Sequence, residues 1–134
     1  EALAEYFALI ASLPQEIDFY NKAALILLRE QRYDSARTLL LQSLHFKHNL
    51  FAYKWVGQIA LMNGDYNTAI EYLRQADLYD PQVLFNLSRS YYLSGNWKEG
   101  ETYYSRLRTI APRSEYIEYL QKLRIVSKIK SLNQ

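Results

Sequence analysis

Small and apolar side chains recur along this chain at helical spacing. Over residues 66–79, Ala69, Leu73 and Ala76 stand at i, i+4 and i+7, one stripe of a helix. Near the C-terminus Ile117, Leu120, Leu123, Val126 and Ile129 make an apolar band, and Lys122, Arg124, Lys128 and Lys130 occupy the other face. Short polar breaks separate these runs. Gly64 supplies a residue that enters the left-handed region without a Cβ penalty and so ends a helix. Asp65 follows as a cap for the next helix. Asp80-Pro81 reads as a cap followed by proline at the first helical position, where its missing N–H costs nothing. Ser114-Glu115 reads as a cap with an acid in the first turn, where it complements the helix dipole. The pattern predicts one helix over about 51–63, a second over about 66–79, and a last one from 114 onward.

The breaks are periodic. Ala24, Gln31-Arg32-Tyr33, Ala36, Leu40 and His48 form one series. Gly57, Gly64-Asp65-Tyr66, Ala69, Leu73 and Pro81 form a second, and Ser88, Gly95-Asn96-Trp97, Gly100, Tyr104 and Pro112 a third. Within each, the two small residues lie 12 positions apart, and the proline (or His48) lies 12 beyond the second. Physically this is a pair of antiparallel helices per repeat. The small residues let the two backbones approach, and the aromatic after the turn plugs the corner.

This arrangement resembles the tetratricopeptide repeat family over roughly residues 1–113. The best match is Gly64-Asp65-Tyr66-Asn67-Thr68-Ala69-Ile70, ending at Asp80-Pro81. The resemblance implies an all-α, right-handed α-solenoid of about eight helices. It divides the chain into the second helix of a partial repeat (1–16), three repeats (17–49, 50–80, 81–113) and a capping helix (114–131). On this register all three prolines share one repeat position. From there to the next small residue is 10 residues after Pro14, 9 after His48 and 7 after Pro81. The third pair is therefore expected to join by a loop about three residues shorter.

Composition agrees with helices. The chain has 134 residues with 4 Gly and 3 Pro; an average domain has about 7% Gly and 5% Pro. A many-stranded fold would need more turn material. It is rich in tyrosine, with 13, and the repeat register places Tyr6, Tyr33, Tyr66 and Tyr104 at packing positions. Hydrophobic content of 49% excludes disorder, and no apolar run is long enough to span a membrane. There is no cysteine, so disulfides and thiolate zinc sites are excluded. The first residue is Glu1, and a longer parent protein is expected.

Charge and candidate chemistry change little. Residues 1–50 and 51–100 each carry a net charge of −1, and residues 101–134 carry +4. The basic cluster Arg106, Arg108, Arg113, Lys122, Arg124, Lys128 and Lys130 reads as a solvated face near a helix C-terminus, and no nucleic-acid partner is expected. His45 and His48, at i and i+3, have no third or fourth ligand near them in sequence, so no metal is expected. No phosphate loop, nucleophile elbow or metalloprotease motif occurs. Catalysis and cofactors are not expected.

The remaining candidate is a groove. In tetratricopeptide repeats the first helix of each pair lines the concave side, and the resemblance carries that role to Asn21, Phe51, Lys54, Gln58, Phe85, Asn86, Arg89 and Tyr92. Aromatic anchors among polar groups suit a protein or peptide partner. Lys54, Gln58 and Asn86 also match part of the carboxylate clamp of chaperone-binding members. Tyr116 and Leu120 stand where its second pair of cations belongs, so that specificity is not expected. The final helix is a competitor for the same face, above all at Phe85, Tyr92 and Leu93. Self-association through the exposed apolar face of residues 1–13, as a spacer of a larger protein, is the alternative role.

Overall fold

The computed structural model describes residues 1–133. These form eight helices and no strand: α1 (Ala2–Ser12), α2 (Ile17–Arg29), α3 (Tyr33–Phe46), α4 (Leu50–Met62), α5 (Tyr66–Leu73), α6 (Pro81–Leu93), α7 (Trp97–Ile110) and α8 (Glu115–Leu132). The pairs α2/α3, α4/α5 and α6/α7 pack most extensively. Each then packs on the next through α3/α4 and α5/α6. At the two ends α1 packs on α2, and α8 lies across both α6 and α7. The molecule is the all-α solenoid that the repeats predict.

The three turns inside the pairs have one geometry. Gln31, Gly64 and Gly95 have φ of 60°, 74° and 88°. The next residue donates its N–H five residues back, as Arg32 to Leu27 (2.8 Å), Asp65 to Ala60 (2.9 Å) and Asn96 to Tyr91 (2.8 Å). This is the Schellman ending, which satisfies carbonyls that a helix terminus leaves free. Glycine holds the left-handed position twice, and Gln31 holds it at a steric cost of about 1–2 kcal/mol, the usual penalty for an L-residue there. Gln31→Gly is therefore expected to stabilise the protein by about 1 kcal/mol after the entropy loss of glycine is subtracted. A rise in the urea midpoint checks it; an unchanged or lower midpoint contradicts it.

The small residues are where the helices touch. Ala24, Ala36, Ala69 and Ser88 are fully buried, and Gly57 and Gly100 are buried too. Ser88 Oγ donates to the carbonyl of Gly100 at 2.9 Å, tying α6 to α7. Helix α4 divides the core: Ala52, Val56 and Ile59 face the α1–α3 side, and Tyr53, Ala60 and Leu61 face the α5–α8 side.

Two expectations need correction. The second helix of the middle pair stops at Leu73 rather than continuing to Tyr79, and the segment before α6 is longer than its counterparts, not shorter. The missing residues are lost from the helix instead of the loop. Helix α5 has 8 residues where α3 and α7 have 14. Residues 74–80 turn twice, with Asp77 Oδ1 accepting from the Tyr79 N–H at 2.9 Å. The prolines are likewise not equivalent. Pro81 opens α6, whereas Pro14 and Pro112 lie in the connections before α2 and α8. With α5 curtailed, the Asp80 cap and Pro81 fix the start of α6: Asp80 Oδ1 accepts from the Gln82 N–H at 2.9 Å.

Candidate functional site

The candidate residues stand on α2, α4 and α6, the first helices of the three pairs. Asn21 of α2 donates through Nδ2 to Asn49 Oδ1 at 3.0 Å. Asn49 is itself the cap of α4, accepting from the Ala52 N–H at 2.9 Å and donating to Ser43 Oγ at 2.9 Å. Asn21 is thus held in place by the α3–α4 connection, while its own Oδ1 is buried with no partner.

On α4, Phe51 is half-buried and its ring meets Trp55 at 6.4 Å. Gln58 is buried, and its Nε2 has no partner. Lys54 is not a free cation. Its Nζ lies 2.7 Å from Asp80 Oδ2 and 5.6 Å from the centre of the Trp55 ring. One Asp80 oxygen therefore caps α6 while the other binds α4, a second role that the Asp-Pro pattern does not announce. Both partners are partly exposed, so the pair contributes little to stability, of the order of 1 kcal/mol or less.

On α6, Phe85 stacks on Tyr116 of α8 with ring centres 4.3 Å apart and planes 16° from parallel. Tyr119 meets the same ring edge-on at 5.5 Å. The Arg89 guanidinium lies 6.0 Å from the Phe85 ring and 5.6 Å from the Tyr119 ring. These are cation–π distances, and Arg89 Nε is buried without a partner. Asn86 is buried beside them. Tyr119 lies outside the set that the repeat register selects; Tyr116 and Tyr119 at i and i+3 on an aromatic helix face are its only signal in the sequence.

Tyr92 has a different setting. It is only 4% exposed, and its hydroxyl donates to Glu101 Oε1 at 2.9 Å. Arg124 Nε of α8 donates to the same oxygen, and the Arg124 guanidinium lies 5.0 Å from the Tyr104 ring. Burial, followed by the bond to Glu101, pushes the Tyr92 hydroxyl above the ordinary tyrosine range. Burial pushes the Glu101 carboxyl up, but the hydrogen bonds from Arg124 and Tyr92 outweigh it and hold the group below the ordinary carboxylate range. The cluster keeps Glu101 ionised and anchors α8 to α6 and α7. Tyr92 is packing inside the molecule, while Leu93 beside it is exposed.

The structure thus brings Phe85 and Arg89 together under α8, holds Lys54 against α6, and leaves Phe51, Asn21 and Gln58 clear of α8. An apolar hollow of about 470 Å³ between Leu78, Tyr79, Arg106, Thr109 and Ile110 is lined by none of the candidate residues. Among the described residues no group of three or more His, Asp or Glu side chains is placed to hold a metal ion, and no helix is long and apolar enough to cross a membrane.

Comparison with known proteins bears on this geometry. Residues 60–123 match the tetratricopeptide repeat family model. That stretch carries the tetratricopeptide repeat signature. Within that span lie the α6/α7 pair, the turns at Gly64 and Gly95, and the contact of Ser88 with Gly100. The fold is shared with the crystal structure of the MamA protein, at 16% identity over 98% of this chain and 77% of that one, with a TM-score of 0.78. It is shared with YrrB, a tetratricopeptide repeat protein with an unusual peptide-binding site, at 15% identity over 98% of this chain and 73% of that one, TM-score 0.78. The Yersinia enterocolitica type III secretion chaperone SycD, solved with a peptide of the translocator YopD, aligns at 15% identity over 84% of this chain and 92% of that one, TM-score 0.67. No curated protein sequence matches the chain significantly.

Proposed function

We propose that this protein is a non-catalytic interaction scaffold that binds an extended peptide or partner segment along the α2–α4–α6 face. The observation carrying the reading is a set of three buried polar atoms without partners, one on each first helix: Asn21 Oδ1, Gln58 Nε2 and Arg89 Nε. A buried polar atom left unpaired costs about 1–3 kcal/mol, so a face with three of them gains from a ligand that satisfies them. Their chemistry is that of a peptide backbone. Asn21 Oδ1 accepts an N–H, and Gln58 Nε2 and Arg89 Nε donate to carbonyls. Phe51, Trp55, Phe85 and Tyr119 supply apolar contact beside them, and aromatic anchors dominate the energetics of such interfaces. Lys54 and Asp80 hold α4 against α6, so the backbone of the face is preformed, and the side chains that carry the three covered atoms turn outward to meet the ligand. The peptide-bound SycD and the peptide-binding YrrB, which share the fold, support the reading by analogy.

The test is selection of a displayed random-peptide library on the purified protein, followed by titration of the enriched peptides. Gln58→Leu combined with Arg89→Leu removes two donors at nearly constant volume and is expected to weaken binding by about tenfold per hydrogen bond lost. Enriched peptides that bind the double variant as tightly as the parent would remove this face from consideration.

A further inference from the structure

The curtailed α5 leaves a hollow that the α2–α4–α6 face does not use. It opens between the 74–80 segment and the last turns of α7, lined by Leu78, Tyr79, Arg106, Thr109 and Ile110, with a volume of about 470 Å³. Aligning Tyr66 with Trp97 makes residues 75–79 the counterparts of residues 106–110. The latter are helix and the former are turns. Leu78 and Tyr79 therefore border α7 at the level where α5 would run if it matched α3 and α7 in length. The hollow falls in the size range of ligand clefts, about 300–1,000 Å³. Tyr79 and Ile110 leave large apolar surface exposed at its rim.

Its charge has one sign. Residues 102–114 contain Arg106, Arg108 and Arg113 and no acid, and among the described residues none of the three is in an ion pair. Arg106 is nonetheless held in place. Its guanidinium lies 5.1 Å from the centre of the Tyr103 ring. Tyr103 stacks on Tyr91, with ring centres 5.6 Å apart and planes 5° from parallel, and both rings are buried. Stacking uses the face of the guanidinium and leaves its edge, which carries the donors, for a carboxylate. Arg108 borders an adjoining hollow of about 290 Å³ with Ser105 and Thr109, and Thr109 is common to both. The two acids of the 74–80 segment are engaged elsewhere, Asp77 by the Tyr79 N–H and Asp80 by Lys54 and the Gln82 N–H.

We propose that this hollow is a second docking site, which takes a bulky apolar side chain from an acidic segment of a partner protein while carboxylates beside that anchor meet Arg106 and Arg108. The apolar anchor supplies the contact area, as buried anchors do at interfaces. The unpaired arginines select acids and repel basic segments. The two adjoining hollows call for a chain segment, because its successive side chains reach both at once. The site is separate from the peptide-binding face on α2, α4 and α6, and either can hold or fail without the other.

The test is selection of a displayed random-peptide library on the protein, with counter-selection on Tyr79→Ala combined with Ile110→Asn, so that only peptides that need this hollow are kept. Both side chains are exposed, and circular dichroism and melting of the double variant should match the parent. The enriched peptides are expected to carry an aromatic or large aliphatic residue next to acids. Arg106→Glu and Arg108→Glu, also at exposed positions, are each expected to weaken binding by about tenfold. Added sodium chloride should weaken it as well, because the charges are screened, and replacing the acids of a peptide by lysine should abolish it. Gln58→Leu with Arg89→Leu should leave these peptides bound, which separates this result from that for the α2–α4–α6 face. A library that yields no such peptide overturns the proposal. So do peptides that bind without their acids, and peptides indifferent to both arginine reversals. So does a parent chain that self-associates in sedimentation and becomes a monomer on Arg106→Glu, because the hollow then belongs to a second copy.

Discussion

Replacing Tyr104 by alanine is expected to cost about 3–5 kcal/mol of folding stability, the range for truncating a buried aromatic, and to loosen α8 more than any other helix. Among the described residues Tyr104 is the largest fully buried side chain. It belongs to the cluster that contains Leu84, Leu87, Leu107, Ile117 and Leu120, drawn from α6, α7 and α8. Its ring also carries the Arg124 guanidinium at 5.0 Å. The alanine variant loses the ring from the core and the seat of the cation that Glu101 positions, so both ways in which α8 is held weaken together. Domains of this size are stable by about 5–15 kcal/mol, which makes the expected loss a large share of the total. Urea denaturation measures it, and amide exchange along α8 locates it. Tyr79→Ala is the control: Tyr79 is 83% exposed, and a change within about 0.5 kcal/mol is expected. A loss below about 1 kcal/mol at Tyr104, or unchanged exchange in α8, would contradict this account of how the last helix docks.

The aromatic residues also separate what a sequence reveals from what it hides. Tyr33, Tyr66 and Trp97 are recognisable as corner residues because each follows a helix ending by two residues, a local signal. All three pack against the core. The small residues at 24, 36, 57, 69, 88 and 100 are legible for the same reason, since close helix approach demands a small side chain wherever it occurs. What is not legible depends on contacts between distant segments. Helix α5 keeps a helical pattern through Ala76, yet it ends at Leu73 because α6 begins three residues early and its cap is held by Lys54 from α4. Gln31 has no local preference for the left-handed region; the helices on either side impose it. At the candidate site, Asn21, Gln58 and Arg89 are named by their repeat positions. That their buried atoms lack partners, and that Tyr92 turns inward to Glu101 and Arg124, follows from how the helices meet. No pattern within α6 encodes where α8 lies.

The second large effect is expected at Gly57, and its contrast with Gly64 separates packing from conformation. A Cβ on Gly57 would stand 2.6 Å from Leu73 Cγ, 2.8 Å from Leu73 Cδ2 and 3.2 Å from the Leu73 backbone nitrogen. Leu73 is fully buried, so its side chain has no free space to enter, and α4 must move away from α5. Gly57→Ala is expected to lose about 1–3 kcal/mol as an overpacked core does, even though alanine is favoured over glycine in a helix by about 1 kcal/mol. Gly57→Val should lose more, because two further carbons enter the same contact. Gly64 has the opposite constraint. A Cβ there would meet no atom within 4 Å, but its φ is +74°, so only the left-handed backbone resists substitution. Asparagine tolerates that region better than other residues, and Gly64→Asn should retain most of the stability that Gly64→Val loses. At Gly57 asparagine gains no such relief and should be as damaging as valine. Chemical denaturation of the six variants, including Gly64→Ala, reads the difference directly: cost rising with volume at one glycine, and cost following backbone preference at the other. Gln58 follows Gly57 on α4, so the same spreading of α4 from α5 that lowers stability also displaces the central polar group of the proposed peptide face. Peptide binding should therefore fall in step with volume at Gly57 and stay near the parent value in Gly64→Asn. If Gly57→Val is no worse than Gly57→Ala, the α4–α5 contact is not the close approach described here, and the rigidity ascribed to the α4 part of the face has no structural basis.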